Sequence, residues 1–415
     1  MTLSKWKGLG LTAFMTLALV ACSTDNKEQA EKESAAKETE TVQEEQHEEV
    51  HEHAATARFI VSSDKGIHVY NDKFEAVETF DIGAGAFTVA DKGRYVFVRD
   101  AANKDSYTLL DSGFYVEDHD DHMHPYEVAP AIAQDVEAAA PAHMISHAGR
   151  TAIFNDGSGK VDVYDNENLS TDKLQPTFTY EGAAHHGAAV PLSTGELAVT
   201  VIAKEGDSLP TGVKIVDKDG KETASITNSC DGLHGTAYSG SDDNEKLAFG
   251  CNGKVVVYDV ATKQTKDVAL PDAGARVGTV KIANGASYFF TNYSIEGQPQ
   301  NKIGIVDPQA GDIKLVELPA AYKSATLTTA DNKAFVLAED GNIYKIDLQK
   351  AEIELTIAAY NPFSLDEEAP ILWLANDELY TAMPSYKKAY AVHGDHVHEV
   401  ASFDFEPSAI VAVDK

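Results

Sequence analysis

Cys230-Asp231-Gly232-Leu233-His234-Gly235 opens a unit that recurs along the chain. After His234 the sequence reads as a short strand, a turn at about Ser241–Glu245, and a return strand, Lys246–Cys251. His186 opens the same pattern: His186-Gly187-Ala188-Ala189-Val190-Pro191-Leu192, a turn at Ser193–Glu196, then Leu197–Val201. His143 opens it again: His143-Met144-Ile145-Ser146, a turn at His147–Arg150, then Thr151–Asn155. Three consecutive strand–turn–strand units each begin with a histidine. As blades of one propeller they would bring three imidazoles together on its axis.

The surrounding sequence supports that architecture. From Arg58 onward, short β-rich runs alternate with Gly, Asp and Asn turns, and no long helical period interrupts them. Val161–Tyr164, Val255–Tyr258, Ile303–Val306 and Ile343–Ile346 each run into a turn-starting Asp, at Asp165, Asp259, Asp307 and Asp347. Regular strands separated by turn signals indicate an all-β fold. Candidate inner strands start near Ala86, His143, His186, His234, Arg276, Lys323, Pro370 and Pro407, a spacing of about 40–50 residues that matches four-stranded propeller blades. Eight starts predict eight blades, with seven left open. Pro407–Val413 has no room for a blade after it, so Arg58–Ser62, Gly66–Tyr70 and Ala76–Phe80 are expected to complete its sheet. Joining both ends in one sheet would remove exposed strand edges.

Strands are numbered one to four from the axis outward, and the face where strand one begins is called the top. His143, His186 and His234 then lie at the top mouth of the channel, with His185 beside them. Phe114–Glu117 reads as strand four of the second blade, followed by an insertion, about Glu117–Ala142. On that reading, Asp118-His119-Asp120-Asp121-His122-Met123-His124 also emerges at the top. His147 falls at the bottom, as do His393, His396 and His398 around a hairpin of the last blade; His68 lies inside a strand as a packing or surface residue. Neutral imidazole suits Zn²⁺, which carrier and structural sites hold with four ligands. Three channel histidines and one ligand from His119, His122, His124, Asp120 or Asp121 would complete that shell. Copper is less favoured without a run of methionines, whereas Ni²⁺ and Co²⁺ stay open. The glycines after His186 and His234 would let the backbone pass close at a crowded axis. The alternative for each channel histidine is a hydrogen-bonded lining residue. For the bottom trio an exposed hairpin is the simpler account, and a second metal site there is left open.

The chain has 415 residues, 66 acidic and 34 basic, with a formal net charge of −32. Such a balance excludes the basic footprint of nucleic-acid binding and suits a cationic cargo. Lys5 and Lys7 precede an apolar run, Leu9–Val20, that is too short to span a bilayer and reads as an export signal. Its end, Leu19-Val20-Ala21-Cys22, looks like a bacterial lipobox, which implies cleavage after residue 21 and lipidation of Cys22. Anchoring would then be through lipid alone, on the extracellular face of the cell membrane or on the periplasmic side of a cell with two membranes. Cys230 and Cys251 remain. An even pair in an exported protein reads as a disulfide, and both cysteines fall at the same end of one hairpin. The alternatives are two free thiols or thiolate metal ligands. Residues 22–57 form an acidic linker with almost no large apolar residues to bury, expected to be disordered or transiently helical. Within it His47, His51 and His53 stand among glutamates and could catch a cation weakly. Residues 58–415 form the propeller domain.

These features together resemble the zinc metallochaperones of the AztD type. The resemblance rests on the export signal, the histidine-bearing arm, the Asp/His-rich insertion, and the stretches Ala142-His143-Met144-Ile145-Ser146-His147-Ala148-Gly149-Arg150, Ala184-His185-His186-Gly187 and Cys230–Gly235. It covers most of the chain from about His47 and is strongest between Asp118 and Cys251. It implies a propeller that holds zinc on His119, His122, His124, His143, His185, His186 and His234. It further implies that His47, His51 and His53 help pass the metal to the solute-binding protein of a zinc ABC transporter. The chain departs from the family at Cys22, since the relatives are soluble in a periplasm. A cell without that compartment would need such a tether.

The expectation is therefore a monomeric, non-enzymatic zinc carrier with an exchangeable site at a channel mouth. Two other functions compete with it. A metal-dependent hydrolase or lactonase would need an open metal position, a general base and a substrate pocket, and the chain contains no Gly-x-Ser-x-Gly or P-loop motif. A protein-interaction propeller would use the histidines structurally.

Overall fold

The computed structural model describes residues 56–90, 93–100, 103–118, 123–171 and 173–414. The export signal, Cys22, the arm histidines His47, His51 and His53, and His119, Asp120, Asp121 and His122 of the insertion lie outside these residues. Among the described residues no helix is long and apolar enough to cross a membrane.

The described chain folds as an eight-bladed propeller with almost no helix. The inner strands begin at Gly85, Pro141, Ala189, Thr236, Ala275, Tyr322, Ile371 and Ala409, each within three residues of its expected start. We number as blade 1 the sheet that joins both ends of the domain: Ala409–Asp414 is its inner strand, followed outward by Ala57–Ser63, Gly66–Asn71 and Ala76–Phe80. Ala57 pairs with Asp414 and Ser62 with Ala409, so the ring closes with no open edge between its first and last strands. Blades 2 to 8 follow in chain order, with inner strands Gly85–Val89, Pro141–His147, Ala189–Pro191, Thr236–Ser239, the interrupted pair Ala275–Arg276 and Val280–Lys281, Tyr322–Thr329 and Ile371–Ala375.

The core is divided among the blade interfaces. Eight buried apolar clusters lie between successive sheets, one for each junction of the ring. Phe249 and Tyr258 of blade 5 pack on Val213 and Ile215 of blade 4, for example. This explains the apolar third strands, such as Lys254–Asp259, whose interior is covered on both faces. Fourth strands such as Glu352–Ala358 alternate instead, because one face looks to solvent. The turn-starting aspartates also hold strands together. Asp259 and Asp347 end third strands opposite Lys246 and Lys333, which open the second strands, at 2.7 and 2.8 Å. Their other oxygens accept the turn N–H groups of Thr262 and Lys350.

The insertion leaves the ring at a different place from the one expected. Phe114–Asp118 is not strand four of blade 2 but one arm of a hairpin with Met123–Glu127. The true fourth strand is Ala131–Glu137, paired with the third strand Ser106–Asp111. The hairpin therefore springs from the link between strands three and four, at the bottom of the ring. Phe114 is buried at its base, and Glu127 pairs with Arg58 at 2.6 Å where the described chain begins.

Candidate metal centre

Each of the three channel histidines reaches the top mouth by a different local device. His143 sits where the inner strand of blade 3 bulges: Pro141 pairs with Asn155 and Met144 with Ile153, so Ala142 and His143 together oppose Phe154. A bulge of this kind turns a side chain out of the ladder. His186 stands ahead of blade 4, with its N–H on the Ser208 carbonyl. His234 stands ahead of blade 5 in a loop tied down by the Cys230–Cys251 disulfide, its N–H directed at the Gly250 carbonyl. Both following glycines are packing requirements. A Cβ on Gly187 would lie 2.4 Å from Phe154 Cζ and 2.6 Å from His185 Nε2, and one on Gly235 would meet Val280 N at 2.8 Å.

The three rings meet, with centroid separations of 4.7 Å for His143–His186, 5.3 Å for His186–His234 and 5.8 Å for His143–His234. One ring nitrogen from each can be chosen so that all three lie within 4.8 Å of one another. Hydrogen bonding determines which nitrogens are free. His143 Nδ1 donates to the Gly187 carbonyl at 2.7 Å, and His234 Nδ1 to the Gly278 carbonyl at 2.8 Å. A carbonyl only accepts, so both rings carry the proton on Nδ1. His186 Nδ1 lies 2.6 Å from Asp156 Oδ2, whose partner oxygen accepts the Gly187 N–H. All three Nε2 lone pairs are left free, the arrangement by which hydrogen-bond acceptors behind the ring orient metal-ligating imidazoles.

Burial favours the neutral ring. Desolvation lowers the His143 pKa below the ordinary imidazole value; its bond to Gly187 opposes this, and His186 and His234 reinforce it. His234 is exposed at the rim, and His143 and His186 are half-buried. A zinc ion with bonds of about 2.0–2.1 Å holds tetrahedral nitrogens about 3.3 Å apart, so small ring rotations would close the triad on the metal. A cavity of about 630 Å³ beside it is lined by Arg99, Asp100, Lys104, Asp156 and His186.

No family model matches the chain. It aligns with the zinc chaperone AztD of Citrobacter koseri at 24% identity over 375 residues, covering 86% of each chain. The chain is similar to AztD over most of its length. The crystal structure of Citrobacter koseri AztD superposes with a TM-score of 0.74 at 22% identity, covering 87% of this chain and 98% of that one. The apo AztD structure from the same organism gives 0.74 at 23% identity, covering 86% and 98%. The AztD-type resemblance and the eight-bladed fold read from the sequence are both found.

Of the other histidines that the AztD resemblance nominated, His185 and His124 do not join the triad, and His119 and His122 lie outside the described residues. His185 turns the other way: it is buried, its Nδ1 donates to the Ala183 carbonyl at 2.7 Å, and its Nε2 lies 3.0 Å from Thr200 Oγ1. With both nitrogens engaged it anchors the loop, and its neighbour His186 is the one that meets the triad. His124 lies on the inserted hairpin, opposite Glu117 and against Tyr126, at the bottom of the ring. Strand order thus places His124 at the opposite end of the ring from the triad, whereas the fourth-ligand candidates His119, Asp120, Asp121 and His122 lie outside the described residues. His147 is buried at the bottom as expected, 2.7 Å from the carboxylate of Glu245. His68 packs inside blade 1, stacked on Phe405. Sequence reasoning missed Asp156 and the Gly187 and Gly278 carbonyls; Asn155-Asp156-Gly157 reads only as a turn.

Proposed function

We propose that this protein is an exported, lipid-anchored zinc carrier. In this reading it holds Zn²⁺ on Nε2 of His143, His186 and His234, then passes it to the solute-binding protein of a zinc ABC transporter. The observation that carries the reading is the set of three imidazoles from three blades, each with Nδ1 committed to an acceptor and Nε2 left for a shared ion. The similarity to a named zinc chaperone supplies the metal and the class of task. Among the described residues three protein ligands leave a fourth position for water or for a group of the acceptor, as handover requires. His47, His51 and His53 on the tether would raise the ligand concentration near the acceptor. The activity is carriage without turnover.

Competition titration of the chain from Ser23 onward against a chelator of known affinity tests the site. One tight zinc should bind the wild type and be lost in His143→Ala/His186→Ala/His234→Ala. Equal binding by both would refute the triad. Transfer is tested by mixing the loaded protein with the solute-binding protein and following where zinc resides.

Three histidines with an open fourth position also match a catalytic zinc, which favours a hydrolase as the second reading. Asp156, the carboxylate in contact with the triad, is already engaged by His186 and Gly187 and is not free to act as a general base. Ester or lactone turnover lost in His234→Ala would reverse the order of the two readings.

A further inference from the structure

Blade 8 carries a second cluster of imidazoles on the opposite face of the ring. Its third and fourth strands, Lys388–His393 and His396–Ser402, form a hairpin around Gly394, whose φ of 58° suits the tight turn. His393 pairs with His396 and Ala391 with His398, so strand alternation puts all three histidines on one face. The His393 and His398 rings stack at 4.5 Å, and their Nδ1 atoms are 3.1 Å apart. Glu378, which opens the second strand, lies 3.9 Å from His393 Nε2 on the same side.

We infer that His393 and His398 form a second, weaker site for a divalent cation of borderline softness such as Zn²⁺. The nitrogen separation is the deciding geometry. Adjacent ligands at bonds of about 2.0–2.1 Å lie about 2.9 Å apart in a square plane and about 3.3 Å apart in a tetrahedron, so this pair already has the span of a chelate edge. One ring can satisfy the other only by donating its Nδ1 proton; a cation would displace that proton and hold both. Both histidines are exposed, so water can fill the other positions and exchange should be fast. Glu378 adds a carboxylate at the rim, and the net charge of −32 favours cations near the surface. The pair lies at the bottom of the ring, where the inserted hairpin also emerges, and the triad lies at the top. The inference stands independently of the carrier reading.

Diethylpyrocarbonate labelling of the full chain, with and without zinc, tests it residue by residue when read by peptide mass spectrometry. Zinc should slow labelling of His393 and His398 together, and it should do so equally in the His143→Ala/His186→Ala/His234→Ala variant. In His398→Ala the protection of His393 should be lost, although the exposed substitution leaves the fold intact. Zinc-independent labelling of His393 in the wild type would overturn the site. So would protection of His393 that survives His398→Ala.

Discussion

Replacing Asp156 by Asn tests whether the triad is tuned from outside its ligand set. Asp156 Oδ2 receives the His186 Nδ1 proton at 2.6 Å, and Oδ1 receives the Gly187 N–H. Gly187 in turn supplies the carbonyl that orients His143, so one carboxylate supports two of the three ligands. Asn keeps the size and one acceptor but removes the charge. A hydrogen bond to a charged group contributes about 1.5–3 kcal/mol and a neutral one about 0.5–1.5, a difference of roughly 1–1.5 kcal/mol. That difference corresponds to about a tenfold loss of zinc affinity. Asp156→Ala removes the acceptor as well and should approach the upper end of the 10–100-fold range typical of outer-shell partners. Chelator competition at fixed pH measures both variants, and the metal-free melting temperature controls for folding. Zinc affinity unchanged in both variants, with the fold intact, would refute the idea that these Nδ1 acceptors prepare the site.

Other perturbations give equally direct outcomes. Removing the disulfide in Cys230→Ser/Cys251→Ser frees a crosslink with a sequence separation of 21 residues and should lower unfolding stability by about 3 kcal/mol, read as a fall in the urea midpoint; it should also weaken zinc binding, because His234 lies in the tethered loop. Gly187→Ala forces a Cβ to within 2.4 Å of Phe154 and should cost about 1–3 kcal/mol together with zinc affinity, seen in melting and titration curves. The lowered pKa of His143 makes its contribution to metal-free stability complete above its unfolded value of 6.5 and lost as pH falls from there through the lower folded value. His143→Gln should therefore flatten the stability profile just below pH 6.5, measured by chemical denaturation, and a profile as steep as the wild type's would refute the assignment. Zinc affinity in the wild type should also fall toward acid pH, because protons compete for the imidazoles.

The repeat was legible because it places like residues at like positions: a histidine ahead of an inner strand in three successive blades leads to three rings at one mouth. The Cys230–Cys251 pairing was legible for the same reason, since both cysteines flank one hairpin. Asp156 was hidden because its role depends on how the top turn of blade 3 meets the entry to blade 4, and no spacing within either blade encodes that contact. His185 and His186 are neighbours in sequence but point into different surroundings, one onto Thr200 and one onto Asp156. The insertion was misplaced because Phe114–Glu117 and Ala131–Glu137 are both short, partly apolar runs. The pairing of Leu110 with Ile132 makes the second run the outer strand, and the left-handed turn at Gly113 sends the first one away.

That change of strand order bears directly on function. A fourth histidine at the same mouth would close a tetrahedral shell, and closed shells are those of structural zinc. With His124 at the other end of the ring and His185 committed to Ala183 and Thr200, three nitrogens remain among the described residues, one of them on an exposed residue. A site of that composition would hold an ion while leaving one coordination position to an incoming ligand. Rigidity and access also come from different parts of the molecule. The eight interblade cores fix where the inner strands begin, and the tethered loop presents His234 at the rim. An acceptor could engage the metal through the open position before His234 lets go, so the ion need never be free in solution. A carrier needs that order of events, and a fully enclosed channel site could not supply it.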